Sequence, residues 1–96
     1  MLILVTYDVS FENPTGPRRL RKISKRCLVY GQRVQYSVFE IEVDMAQWTK
    51  LKSELIGEID DTVDSLRFYY LGNNWERRVE HIGAKPALDL NGLLLL

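Results

Sequence analysis

Leu2-Ile3-Leu4-Val5-Thr6-Tyr7-Asp8-Val9 is an almost unbroken run of apolar and β-branched residues with a single acid near its end. A run without regular polar alternation is the pattern of a central strand covered on both faces. Asp8 then stands near the C-terminal end of that strand. An isolated buried charge there costs on the order of several kcal/mol unless it is paired or exposed. Two readings stay open: a carboxylate that caps the nearby loop or helix start at residues 13–17, or a functional acid.

Working outward, Asn13-Pro14 and Gly16-Pro17 break the chain and make a loop and a helix start. Leu20, Ile23, Cys27 and Leu28 form the apolar stripe of the first helix, and six basic residues from Arg18 to Arg26 fill the remaining arc. Gly31 suits the left-handed position that ends it. In residues 33–43 the apolar phase changes: Val34, Tyr36 and Val38 fall on even numbers, Phe39, Ile41 and Val43 on odd ones. Either a β-bulge near Val38-Phe39 restores one buried face, or the segment divides into two short strands. With no Gly, Asn or Pro at the junction, the bulge is the preferred expectation.

Asp44 and Gln47 are placed as a capping box, with Trp48, Leu51, Leu55 and Ile59 as the stripe of the second helix and Asp60-Asp61 closing it. Ser65-Leu66-Arg67-Phe68-Tyr69-Tyr70-Leu71 reads as a strand by its aromatic content, and residues 75–82 as a further one. The order implies an α+β protein of ferredoxin-like βαββαβ plan, helices on one face of an antiparallel sheet, with an extra C-terminal strand. Residues 1–83 make the domain. The tail, residues 84–96, carries six leucines in its last nine positions. Docking as an edge strand, on its own sheet or a twin's, would cover that apolar surface.

With 96 residues, 13 basic and 13 acidic side chains and one cysteine, there is room for one core. A domain this small gains much from a partner subunit, so a homodimer is expected. No apolar run approaches the roughly 18 residues of a membrane span, and no basic leader follows Met1, so a cytoplasmic protein is expected. Cys27 reads as a buried structural thiol. Neutrality hides a division: residues 1–35 carry seven basic against two acidic side chains, and residues 36–66 two against eight. A polyanion partner is therefore compatible with overall neutrality, and so is a solvated surface on which the two segments offset one another. The lone histidine, His81, assembles no nucleophilic triad and reads as a surface residue. His/Cys metal spacings, a P-loop and a dinucleotide fingerprint are absent from the sequence.

Four ordered blocks over residues 1–71 carry a resemblance: Thr6-Tyr7-Asp8-Val9 after the apolar strand; Arg18-Arg19-Leu20-Arg21-Lys22; Tyr30-Gly31-Gln32-Arg33-Val34-Gln35-Tyr36-Ser37-Val38-Phe39-Glu40; and Asp64-Ser65-Leu66-Arg67-Phe68-Tyr69-Tyr70-Leu71. They resemble the CRISPR-associated protein two family of small nucleases and adaptation subunits. The resemblance implies a ferredoxin-like homodimer in which Asp8 of each subunit meets its twin and holds a divalent ion, usually Mg2+, as the catalytic and metal-binding residue. It implies that Arg18, Arg19 and Arg33 position a nucleic-acid backbone, with Tyr7, Ser37 and Phe39 as supporting residues; Phe39 reads equally as plain core. Two functions follow for such a protein. One is a magnesium-dependent endonuclease that hydrolyses RNA or DNA phosphodiesters in spacer acquisition. The other is a non-catalytic dimeric scaffold that binds duplex DNA and bridges the CRISPR-associated integrase.

Overall fold

Alternation along the first strand organises the architecture. The computed structural model describes residues 1–12, 14–71 and 79–84. Its elements are β1 (Leu2–Asp8), α1 (Gly16–Cys27), β2 (Gly31–Gln35), β3 (Val38–Glu42), α2 (Met45–Glu58), β4 (Ser65–Leu71) and β5 (Val79–Gly83). The sheet runs β2-β3-β1-β4-β5, and all neighbouring pairs are antiparallel. This is the ferredoxin-like βαββαβ arrangement with a fifth strand added beside β4. Among the described residues no helix is long and apolar enough to cross a membrane.

Ile3, Val5, Tyr7 and Val9 point to one face and are buried beneath the helices. There they meet Leu20, Ile23 and Cys27 of α1, Leu51 and Leu55 of α2, and Phe39, Ile41, Leu66 and Phe68 of the flanking strands. Trp48 closes this core, its indole edge-on to Phe68 at a centroid distance of 4.9 Å and its Nε1 donating to the Tyr70 hydroxyl at 3.2 Å. Burial pushes the Cys27 thiol up to about 12, so it packs as an inert small hydrophobe. The capping box at Asp44 is present: the Gln47 N–H donates to its Oδ1 at 2.7 Å, and the Asp44 N–H donates to Gln47 Oε1 at 2.9 Å.

Four expectations are corrected. Residues 33–43 are not one bulged strand but a hairpin, β2 and β3, turning at Tyr36-Ser37; a shift of register does occur, between Arg33 and Gln35. The phase change arises because Val34 and Tyr36 lie exposed on the edge strand and its turn, while Phe39, Ile41 and Val43 are core. Gly31 is an extended strand residue instead of a left-handed cap; a Cβ there would collide with the Glu40 carbonyl of β3, so glycine permits the close approach. Leu28 follows α1 and is 46% exposed, off the stripe. Finally, the described residues cover β1 on one face only. Leu4 and Thr6 on the other face are half-buried, and Leu2 and Leu71 are about 40% exposed (38% and 40%). Of the expected strand at residues 75–82, positions 75–78 lie outside the described residues, as does the tail from residue 85 onward, so its docking is not addressed by the fold.

Candidate nucleic-acid and metal site

Asp8 is the last residue of β1, opposite Ser65 of β4, and is exposed. Alternation puts its side chain on the sheet face that bears no helix among the described residues. The β2–β3 turn abuts this strand end, because the Tyr7 N–H donates to the Ser37 carbonyl at 2.9 Å. Ser37 thus lies against Tyr7, one residue short of Asp8. Phe39 faces the other way, wholly buried under α1 and α2, and is core.

Below the strand end lies a residue that heads the fourth resemblance block but is given no role by the sequence: Asp64, fully buried just before β4. Its Oδ1 accepts from the Ser10 N–H at 2.8 Å and from Arg19 Nη2 at 3.2 Å. Its Oδ2 accepts from Arg19 Nε at 2.7 Å, from the Asp60 N–H at 3.1 Å, and from the Tyr7 hydroxyl. Burial alone would raise this carboxyl's pKa. The Arg19 guanidinium, followed by the Ser10, Tyr7 and Asp60 donors, outweighs that and holds it below the usual carboxylate range. The same pairing raises the Arg19 pKa further, and burial with the Asp64 bond raises that of Tyr7.

Arg19 is therefore spent inside the fold. Its side chain is 11% exposed, and besides Asp64 it donates to the Ser10 carbonyl at 3.3 Å and to Thr15 Oγ1. Arg33 stays exposed, with its guanidinium anchored on Ser24 Oγ at 2.6 Å and stacked 5.3 Å over the Phe39 ring. Arg18 is exposed, as are Arg21 and Lys25 on the same helix. Arg26 is turned to Glu54 and Glu58 of α2, and Lys22 lies 3.9 Å from Glu58. Part of the charge division between the two segments is thus cancelled between α1 and α2, and part is left facing solvent.

Magnesium is implied by the resemblance, and the donor set can be tested against it. Among the described residues no three His, Cys, Asp or Glu side chains converge as a metal cage. Mg2+ does not require one, since it commonly takes one or two carboxylates together with waters and phosphate oxygens. One Asp8 per chain fits such a site when a second copy supplies another.

The sheet order and the strand-end acid define a small ferredoxin-like protein in which the described residues leave one sheet face open. Over residues 1–79 the sequence matches the family described as CRISPR associated protein Cas2. It is 65% identical, across all of this chain and 94% of the relative, to the CRISPR-associated endoribonuclease Cas2 of Nitratidesulfovibrio vulgaris. It is 57% identical, over 99% of both chains, to the CRISPR-associated endonuclease Cas2 of Halalkalibacterium halodurans. The fold matches the crystal structure of Streptococcus pyogenes Cas2 with a TM-score of 0.71 at 54% identity, covering 86% of this chain and 100% of that one. The chain belongs to the Cas2 family, as the four sequence blocks implied.

Proposed function

We propose that the protein is a magnesium-dependent endonuclease, cytoplasmic and acting on RNA or DNA in spacer acquisition, whose site is completed by the Asp8 residues of two copies. One observation carries the reading: Asp8 ends the central strand, exposed on the face away from the helices, with the β2–β3 turn against the same strand end and exposed cations on the helix that follows in the chain. Relatives named endoribonuclease and endonuclease support it. The uncovered face supports the second copy. It bears Leu2, Leu4 and Leu71, of which Leu2 and Leu71 are exposed.

When held by the two carboxylates, the ion supplies an acidified water and charge stabilisation on phosphate. The chain's own part is to bind and orient. Arg18 and Arg33 hold the backbone while β1 and the Ser37 turn fix where the carboxylate points. The second reading, a scaffold that grips duplex DNA and bridges the CRISPR-associated integrase, is favoured by the exposed Arg18, Arg21 and Lys25 along α1, which can contact phosphates without cutting them.

Subunit mixing tests the two-chain site. Equal amounts of wild-type and Asp8→Asn protein, exchanged to equilibrium, leave about a quarter of wild-type cleavage if both acids are required, and about half if each copy works alone. The two arginines are expected to separate as well. Arg18→Ala weakens binding and makes the log-log salt slope shallower by about 1. Arg19→Ala instead lowers the unfolding midpoint, because it strips the partner from a buried carboxylate. Titrations at several salt concentrations, with thermal melts alongside, check both.

A further inference from the structure

We propose that Asp64 is a positioning residue for Asp8, a buried clamp that holds the chain on both sides of the acid. The inference rests on the nuclease reading and adds to it the part that fixes the carboxylate in place. Tyr7 immediately precedes Asp8, and its hydroxyl donates to Asp64 Oδ2. Ser10 lies two residues after Asp8, and its N–H donates to Asp64 Oδ1 at 2.8 Å. One carboxylate therefore ties down both ends of the segment from which Asp8 projects. Arg19 reinforces the second tie, reaching the Ser10 carbonyl while it pairs with Asp64, so the Ser10 residue is held at both its N–H and its C=O.

The clamp is itself fastened from elsewhere. The Asp60 N–H donates to Asp64 Oδ2 at 3.1 Å, and the Asp64 carbonyl accepts from the Ala84 N–H at 2.8 Å. Gly83, with φ +131°, lets the end of β5 pass so close that a Cβ would strike that same carbonyl. The α2–β4 connection, the start of α1 and the end of β5 thus all bear on the residue that holds the Asp8 segment. Asp64 is not a second metal ligand. A carboxylate offers about four lone-pair sites, and five donor contacts already converge on this fully buried one.

Placement matters because a misplacement of roughly 1 Å can cost about 100-fold in rate, and residues that orient a metal ligand are worth about 10 to 100-fold in affinity or activity. The test uses Tyr7→Phe, which removes one tie and leaves the ion pair, and the double variant Asp64→Asn with Arg19→Gln, which removes the charges together so that neither is stranded. The readouts are Mn2+ binding by loss of the free-ion EPR signal, kcat and KM on one nucleic-acid substrate, and hydrogen exchange at the Ser10 amide. The expected result is Mn2+ affinity and kcat each down by about 10-fold or more, KM within about 2-fold, and faster Ser10 exchange. Wild-type kcat and Mn2+ affinity in both variants overturn the proposal, whether or not Ser10 exchanges faster. Asp8→Asn run in parallel separates the failures: if it cleaves like the wild type the nuclease reading falls, and Ser10 exchange in Tyr7→Phe then decides whether the clamp exists.

Discussion

Asp8→Asn loses cleavage of both RNA and duplex DNA by about 1,000-fold or more in the presence of Mg2+, and gains thermal stability in its absence. The loss follows from the chemistry assigned to the pair. An amide is a poor ligand for a hard dication, and a metal-activated water with its charge stabilisation supplies several kcal/mol of a phosphodiester's barrier, on the order of 1,000-fold or more. The gain follows from Coulomb's law. Two carboxylates brought within about 4 Å of one another repel by about 4 kcal/mol at an effective dielectric near 20, and the neutral pair does not. The opposite signs distinguish this reading from a structural Asp8, whose replacement would lower both quantities. Cleavage at the wild-type rate ends the nuclease proposal. Intact duplex binding alongside lost cleavage, together with undisturbed spacer acquisition, would favour the scaffold.

What the sequence disclosed depended on how local the physics was. The capping box at Asp44 and Gln47 is a four-residue signal, and it appears in the structure with both of its hydrogen bonds. The first strand, the aromatic strand at Ser65–Leu71 and the apolar stripes of both helices were legible for the same reason. The hairpin was not, because Tyr36-Ser37 holds no Gly, Asn or Pro, only the weaker turn residue serine, and the turn is held by a partner across the sheet, the Tyr7 N–H. Gly31 signalled a special backbone, but the contact that requires it lies on β3. Asp8 was singled out since an acid in an apolar strand conflicts with its surroundings. Asp64 gave no such signal, because Arg19, Ser10 and Tyr7 are 45, 54 and 57 residues away and the Asp60 N–H alone is local. Pairing at that range is created by the fold, and it also explains why Arg19, grouped with Arg18 by sequence, is withdrawn from the surface.

Asp64→Ala is the substitution expected to cost the most stability. It leaves the Arg19 guanidinium, the Tyr7 hydroxyl and the Ser10 and Asp60 N–H groups facing a space from which water is excluded. Removing one partner of a buried ion pair typically costs about 3–5 kcal/mol, which is a large part of the roughly 5–15 kcal/mol that holds a domain together. The four orphaned groups share one site, so their separate penalties do not add. Acid supplies an independent check with a fixed sign. The folded pKa of Asp64 lies below its unfolded value of about 3.9, so the native state binds fewer protons at this position than the unfolded chain. Its contribution is therefore complete above pH of about 4 and is lost as pH falls through the lower folded value. Urea unfolding of the wild type and of Asp64→Ala should show their widest gap near neutrality, with a progressive narrowing below pH of about 4. A gap that stayed constant into acid would mean that Asp64 stabilises the fold by packing alone, and the clamp on the Asp8 segment would lose its charge.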